Sequence, residues 1–205
     1  PAQVWTALSL VYVLWGSTYL GIAVVVSGAP PLLAAGARFA AAGLIVAVVV
    51  AIRRGWRALA INRRQLAGTA LIATMLLGIG NGGVSLAERY VPSSASALII
   101  ASVPLWVILL RAWSRERPAA VTWVGVAFGL AGVVALVAVL GHDDPAPGDG
   151  YIDVPGWQVA LWLVVILLGT LTWALGSFMS PRIVKSGWAP DNSMVMVTWQ
   201  FLIAG

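Results

Sequence analysis

Long uninterrupted apolar runs are the feature that most constrains the fold of this chain. A helix rising ~1.5 Å per residue needs about 20 apolar residues to cross the roughly 30 Å hydrocarbon layer of a membrane. Water-soluble domains do not need such runs, so the sequence predicts an all-α polytopic membrane protein. The predicted spans are Val4 to Val26, Pro30 to Ile52, Leu66 to Ala87, Pro92 to Trp113, Val121 to Leu140 and Trp157 to Met179, and the start of a seventh lies near Ser193.

Composition supports the membrane class and excludes several other functions. Only 9% of the 205 residues are charged, whereas soluble domains average about 25%. The net charge of +5 does not indicate nucleic-acid binding, because the arginines lie in short segments between apolar runs. The chain has no cysteine, which excludes disulfides, thiolate metal sites and a cysteine nucleophile.

The distribution of charge between the runs predicts the orientation of the chain. Basic residues concentrate in Arg53 to Arg64, Arg111 to Arg117, and Arg182 to Lys185. The segment His142 to Asp153 instead holds four aspartates and no lysine or arginine. Because cytoplasmic loops are enriched in lysine and arginine, we expect the basic segments and the N-terminus in the cytoplasm. The acidic segment is then expected outside.

A weak internal echo suggests two related halves. Trp15-Gly16-Ser17 precedes Pro30, and Trp173 with Gly176-Ser177 precedes Pro190. The first span runs outward and the sixth inward, so the halves would have opposite topology, as in inverted-repeat transporters. We therefore expect a first five-helix repeat over 1–141, an acidic external linker over 142–156 and the start of a second repeat over 157–205. The complete protein is expected to have roughly ten helices.

The order of several short motifs resembles a known family. Trp15 to Leu20, Arg38-Phe39, Asn81-Gly82, and Val103 to Trp106 followed by Glu116-Arg117-Pro118 are similar to EamA-type domains of the drug/metabolite transporter superfamily. Ser114-Arg115 departs from the glycine often found before the Glu-Arg pair. The resemblance implies two inverted five-helix repeats around a central substrate cavity. It implies export or exchange of metabolites, amino acids or drugs in a bacterial plasma membrane.

Polar residues form a stripe along the third span. Thr74, Gly78, Asn81, Ser85 and Glu88 recur at spacings of three and four, which place them on one face of an α-helix. A polar group facing lipid loses its water without compensation, so this stripe is expected to face a cavity or the bundle interior. Alternatively, the small residues serve close packing and the Asn81 amide makes an interhelical hydrogen bond.

Arg38 and Glu88 are the ionisable candidates. Arg38 lies eight residues past Pro30, about 12 Å into the bilayer at helical rise. It is a candidate for binding a substrate carboxylate or phosphate, or for pairing with Glu88; the alternative is snorkelling to the outer headgroups. Glu88 is interpreted as a gate carboxylate, a proton site or a solvated interfacial residue.

Aromatic and small polar side chains on the first and sixth spans complete the candidate site. Such aromatics can stack on a substrate. The predicted substrate-binding residues are Tyr12, Trp15, Tyr19, Arg38, Asn81, Ser85, Glu88, Trp173 and Ser177.

Other function classes find little support in the sequence. An intramembrane enzyme needs a nucleophile and a base at membrane depth, but the single histidine, His142, lies in the acidic loop and no G-x-S-x-G motif occurs. The aspartates lack EF-hand spacing, so neither a metal nor a cofactor is predicted. A purely structural membrane protein leaves Arg38 and the polar stripe unexplained. The predicted partners are a small-molecule substrate, the lipid bilayer, and protons or another coupling ion.

Overall fold

The computed structural model describes residues 2–114, 119–140, 152 and 154–205, and within α1 and α7 it leaves several side chains undescribed. Every regular element in these ranges is helical, as predicted. The α-helices are α1 (Ala2–Gly28), α2 (Pro31–Arg54), α3 (Arg63–Ala73), α4 (Gly82–Ala87), α5 (Ser93–Ile100), α6 (Val103–Trp113), α7 (Ala120–Leu140), α8 (Gly156–Lys185) and α9 (Ser193–Ala204).

Five stretches are helical, long and apolar enough to cross a membrane: Val4–Ile22, Pro31–Arg54, Arg63–Ala87, Ser93–Trp113 and Gly156–Lys185. They match five of the predicted spans. The sixth prediction, Val121 to Leu140, coincides with α7, which contains a shorter apolar stretch, and the seventh coincides with α9. The acidic segment and the loop at 115–118 lie almost entirely outside the described residues. The chain is an all-α polytopic membrane protein.

Proline divides the fourth span into two helices. Helix α5 ends at Ile100, residues 101 and 102 form a turn, and α6 begins at Val103 with Pro104 in its first turn. Proline has no N–H to donate and fits the first turn of a helix, where the donors have no intrahelical partner. The mid-span proline therefore starts a new helix instead of only bending a continuous one.

The third span also changes its helical type. Helix α3 begins with a capping box, in which Asn62 accepts from the backbone of Gln65 and the Gln65 side chain accepts from the Asn62 backbone. Residues Thr74–Asn81 then form a π-helix, and α4 continues the span. We call Thr74–Asn81 the π segment. Such wide turns are rare and occur frequently at functional sites.

Helix α8 packs against the π segment and α6, and α2 packs against α9. A buried apolar core joins α4, α5 and α8, and it includes Val84, Ile99 and Leu163. By contrast, most of the described side chains of α1 are exposed. The packed helices fix the π segment in position, and α1 packs against α5, α2 and α4.

Candidate substrate cavity

A cavity of about 710 Å³ lies between α1, α2, the π segment, α8 and α9. Its size falls within the usual range for small-molecule sites, about 300–1,000 Å³. Most of its wall is aliphatic or aromatic. The residues that contribute hydrogen-bonding or aromatic groups are Trp15, Thr18, Arg38, Phe39, Asn81, Ser85, Trp173 and Phe201.

Arg38 and Asn81 meet at the polar part of this wall. The Nη2 atom of Arg38 donates a hydrogen bond of 2.8 Å to Oδ1 of Asn81. Asn81 is 9% exposed, whereas the Arg38 side chain keeps exposed surface. The Ser85 hydroxyl donates to the backbone oxygen of Asn81. A guanidinium has five N–H donors, so Arg38 has further N–H groups for a ligand.

The π segment determines which residues of the polar stripe reach the site. A π turn is wider than an α turn, so residues three or four positions apart do not stay on one face. Thr74 and Gly78 are exposed and do not line the cavity. Asn81, Ser85 and Glu88, at and beyond the end of the π segment, are buried. The prediction that the whole polar stripe faces the cavity is therefore wrong for Thr74 and Gly78.

Close glycine contacts seat the π segment against α8. A Cβ atom on Gly169 would lie 3.3 Å from the backbone oxygen of Gly80, and one on Gly80 would lie 3.3 Å from the Trp173 ring. Small residues allow such backbone approach between membrane helices. The close approach places Trp173 on the cavity wall near Asn81.

Aromatic rings line the remaining apolar wall. Trp15 of α1 and Trp173 of α8 have ring centroids 5.9 Å apart at 47°. Phe39 and Phe201 stack with centroids 5.8 Å apart at 15°. Aromatic pairs with centroids 4.5–7 Å apart are favourable contacts. Together these rings present flat apolar faces to any molecule in the cavity.

The structure brings five of the nine predicted site residues to this cavity and places three elsewhere. Trp15, Arg38, Asn81, Ser85 and Trp173 line it. Three predicted site residues do not line this cavity. Tyr12 is 70% exposed on α1, and Glu88 is buried next to the end of α4. Ser177 lines a second cavity with Arg111, Arg182 and Lys185. The Tyr19 side chain lies outside the described part of the chain.

Sequence reasoning missed three wall residues that have hydrogen-bonding or aromatic side chains. Thr18 lies within the motif Trp15 to Leu20, and Phe39 follows Arg38 directly, so the motifs already contained both. Phe201 lies in α9 and reaches the cavity only because α9 packs against α2. No local signal distinguishes Phe201 from other apolar helix residues.

The wall favours a small molecule with an apolar body and an acceptor or anionic group. Arg38 offers a charge and several donors, Asn81 can donate through its amide nitrogen, and the rings cover apolar surface. Within the described ranges, no group of three or more His, Cys, Asp or Glu side chains could hold a metal ion.

Comparison with known proteins identifies the family. The model of the EamA-like transporter family matches residues 4–138. The chain belongs to the EamA-like transporter family. Membership also confirms the predicted superfamily of drug/metabolite transporters.

Two relatives extend this comparison. The chain is 35% identical over 178 residues to YedA of Escherichia coli (strain K12), described as an uncharacterized inner membrane transporter; the match covers 86% of the chain and 53% of YedA. It is 26% identical over 133 residues to an uncharacterized transporter of Archaeoglobus fulgidus, covering 64% of the chain and 46% of that protein. The chain thus spans about half the length of these relatives. No solved structure matches it.

Proposed function

We propose that this chain contains the first half of a secondary transporter built from two inverted five-helix repeats. The first repeat would occupy 1–141, an external acidic linker 142–156, and the start of the second repeat 157–205. The family match over 4–138 falls within the first unit, and the match covers only 53% of YedA, which leaves room for a second unit. Inverted repeats that place substrate near the membrane midplane support alternating access.

The cavity between α1, α2, the π segment and α8 is the proposed substrate site. It would bind small metabolites, amino acids or drugs that carry an anionic group, for export or exchange. The observation that carries this proposal is the hydrogen bond between Arg38 and Asn81 on an otherwise apolar wall. An apolar pocket with a few convergent polar groups is the usual form of a small-molecule site.

Snorkelling is the competing explanation for Arg38. A snorkelling guanidinium extends towards the headgroups and satisfies its donors there. In this chain Nη2 instead donates to Asn81, and the guanidinium carbon lies 5.1 Å from the centre of the Phe39 ring. These contacts hold the cation beside the cavity, which supports the binding role.

Transport by the full-length chain in liposomes tests this proposal. The panel pairs each anion with its neutral amide, for example phenylpropionate with phenylpropionamide, alongside amino acids and other metabolites. We expect uptake or exchange of at least one anion and no transport of its amide. Arg38→Gln keeps a long polar side chain without the charge, so it should reduce transport at least tenfold while insertion remains normal.

The matched control is Arg89→Gln, which removes a partly exposed arginine that does not line the cavity. It should transport at the wild-type rate. Arg38→Lys separates a point charge, which would preserve transport, from a bidentate contact, which would not. Unchanged rate and affinity in Arg38→Gln would show that Arg38 only snorkels.

A cytoplasmic N-terminus is part of the same proposal. The basic segments that follow α2 and α8 support it through the positive-inside rule. In intact cells, a cysteine replacing Ala29 should react with an impermeant thiol reagent, and a cysteine replacing Ala60 should react only after permeabilisation. The opposite pattern would reverse the orientation.

A further inference from the structure

Glu88 is buried without a partner. Its side chain is 1% exposed, and in the part of the chain that the structure describes neither carboxyl oxygen has a hydrogen-bond partner. Burying an ionised carboxylate costs several kcal/mol unless a counter-charge or hydrogen bonds compensate. A buried group in this situation binds a proton and becomes neutral. Such a carboxyl group ionises only if a nearby positive charge stabilises the carboxylate.

Arg38 provides such a positive charge. Arg38 lies on α2, which packs against α4, and its guanidinium donates to Asn81, seven residues before Glu88 in the same span. From this position its positive charge favours the ionised form of the Glu88 carboxyl. Helix α4 packs against α8, the π segment, α2 and α1. The π segment and residues 156–172 of α8 contain no charged or titratable side chain. On the described part of α1, Tyr12 is exposed, and the Tyr19 side chain is undescribed. Arg53 and Arg54 lie at the other end of α2, and Arg89 is partly exposed.

The same guanidinium also faces the cavity, where it donates to Asn81. Arg38 therefore acts on two sites, the cavity and Glu88. An anion bound in the cavity would neutralise the Arg38 charge and weaken its attraction for the Glu88 carboxylate. Coupling between two sites is reciprocal, so protonation of Glu88 would in turn leave Arg38 free to attract an anion.

From this arrangement we propose that Glu88 is a proton-binding site coupled through Arg38, so that the transporter binds one proton together with each anionic substrate and carries both in the same direction, outward or inward. The proton adds to one carboxyl oxygen of Glu88 as the anion binds to Arg38, and the pair adds no net charge. This inference rests on the proposed substrate site. It assigns Glu88 to the coupling ion and not to substrate contact.

Infrared spectroscopy tests the proton site without a known substrate. The 205 residues contain two glutamates, Glu88 and Glu116. With glutamate labelled with ¹³C at its carboxyl, the difference spectrum between wild type and Glu88→Gln isolates the Glu88 signal from those of all other glutamates. In the full-length chain, the labelled Glu88 carboxyl should stay protonated to a higher pH in Arg38→Gln than in wild type. Glu88→Gln should remove this signal, and Asp191→Asn, at an exposed position, should leave it unchanged.

A glutamate spectrum that is identical in wild type and Arg38→Gln would overturn the coupling. If the spectra of wild type and Glu88→Gln do not differ by a protonated carboxyl signal, the assignment of the site is overturned. Either result would leave the substrate site itself untouched.

Transport provides the second arm, with the anion that scores highest in the liposome panel. Wild type should accumulate it against its gradient when a proton gradient is imposed. Glu88→Gln mimics a permanently protonated site, so it should lose accumulation at least tenfold yet still exchange internal for external anion. Accumulation by Glu88→Gln at the wild-type level would refute the proton proposal alone. If wild type transports no member of the panel, the proposed function fails, and the infrared result still decides the proton site.

Discussion

Helices α1 and α8 contain the two similar motifs of the internal echo, yet they differ in how they pack. Gly16 and Gly176 are equivalent in the two motifs. Among the described residues, a Cβ on Gly16 would meet no atom within 4 Å, whereas one on Gly176 would contact the Leu76 side chain and lie 3.1 Å from Cβ of Met75. The tryptophans of the two motifs, Trp15 and Trp173, nevertheless line the same cavity.

This difference means that α8 contributes both to the stability of the fold and to the cavity, whereas α1 contributes mainly to the cavity. Helix α8 is held by the π segment and by α6, so its small residues have structural consequences. Helix α1 contributes to the cavity with little packing of its own. We infer that α8 is the fixed wall of the site, and that changes in α1 affect the cavity more than the fold.

The largest expected effect is a change in stability when valine replaces one glycine of the internal echo, Gly176, but not the other, Gly16. Gly176→Val overpacks the contact with the π segment and should destabilise the chain by about 1–3 kcal/mol. Gly16→Val adds the same side chain where space is open, so it should change stability by less than about 0.5 kcal/mol. Reversible unfolding in mixed micelles measures both. An equal loss at Gly16 would abolish the contrast between the helices.

An intermediate effect is expected on binding, and it should be similar in both helices. Trp15→Ala and Trp173→Ala each remove an aromatic face from the cavity, worth about 1 kcal/mol. Each should weaken the affinity for the transported anion about fivefold. Trp123→Ala, which removes an exposed tryptophan on α7, is the control. Loss of affinity from Trp173→Ala alone would show that α1 does not contribute to the site.

The smallest effect concerns two threonines. Thr170 of α8 contacts the Ser102 hydroxyl at 3.2 Å and accepts from Nε1 of Trp106 at 2.9 Å. Thr18 of α1 donates to Leu14 of its own helix. Hydrogen bonds between membrane helices average about 0.6 kcal/mol, so Thr170→Val should cost about that much.

Thr18→Val loses only a hydrogen bond to a backbone oxygen of its own helix and no contact between helices, so it should cost close to nothing in the same unfolding assay. Equal costs at the two positions would mean that the Thr170 contacts contribute no net stability.

The sequence predicted the helical class and most spans because membrane burial demands long apolar runs, which are visible without any knowledge of contacts. The starts of α2 and α9 were also predicted, at Pro30 and near Ser193, and the two helices begin at Pro31 and Ser193. Pairing between helices has no such signal. The contact of α9 with α2, and hence Phe201 in the cavity, depends on tertiary packing that apolar patterning does not encode.

The candidate site was only partly predictable for a related reason. Arg38 and Asn81 could be identified because polar groups inside apolar runs need partners, and the structure joins them by a hydrogen bond. The stripe failed at Thr74 and Gly78 because it assumed α-helical spacing through a π-helix. The glycine-rich run from Gly78 to Gly83 was the available signal that the span changes there.

Access of water to the π segment is the direct test of whether Asn81 lines a substrate cavity. Asn81 lines the proposed site and Thr74 is exposed on the outside of the same span. Thiol reagents that carry a charge react with the thiolate, which forms in water and not in lipid. A cysteine replacing Asn81 should therefore react with such a reagent and be protected by the transported anion, while a cysteine replacing Thr74 should stay unmodified. Modification at Thr74 with none at Asn81 would contradict the account.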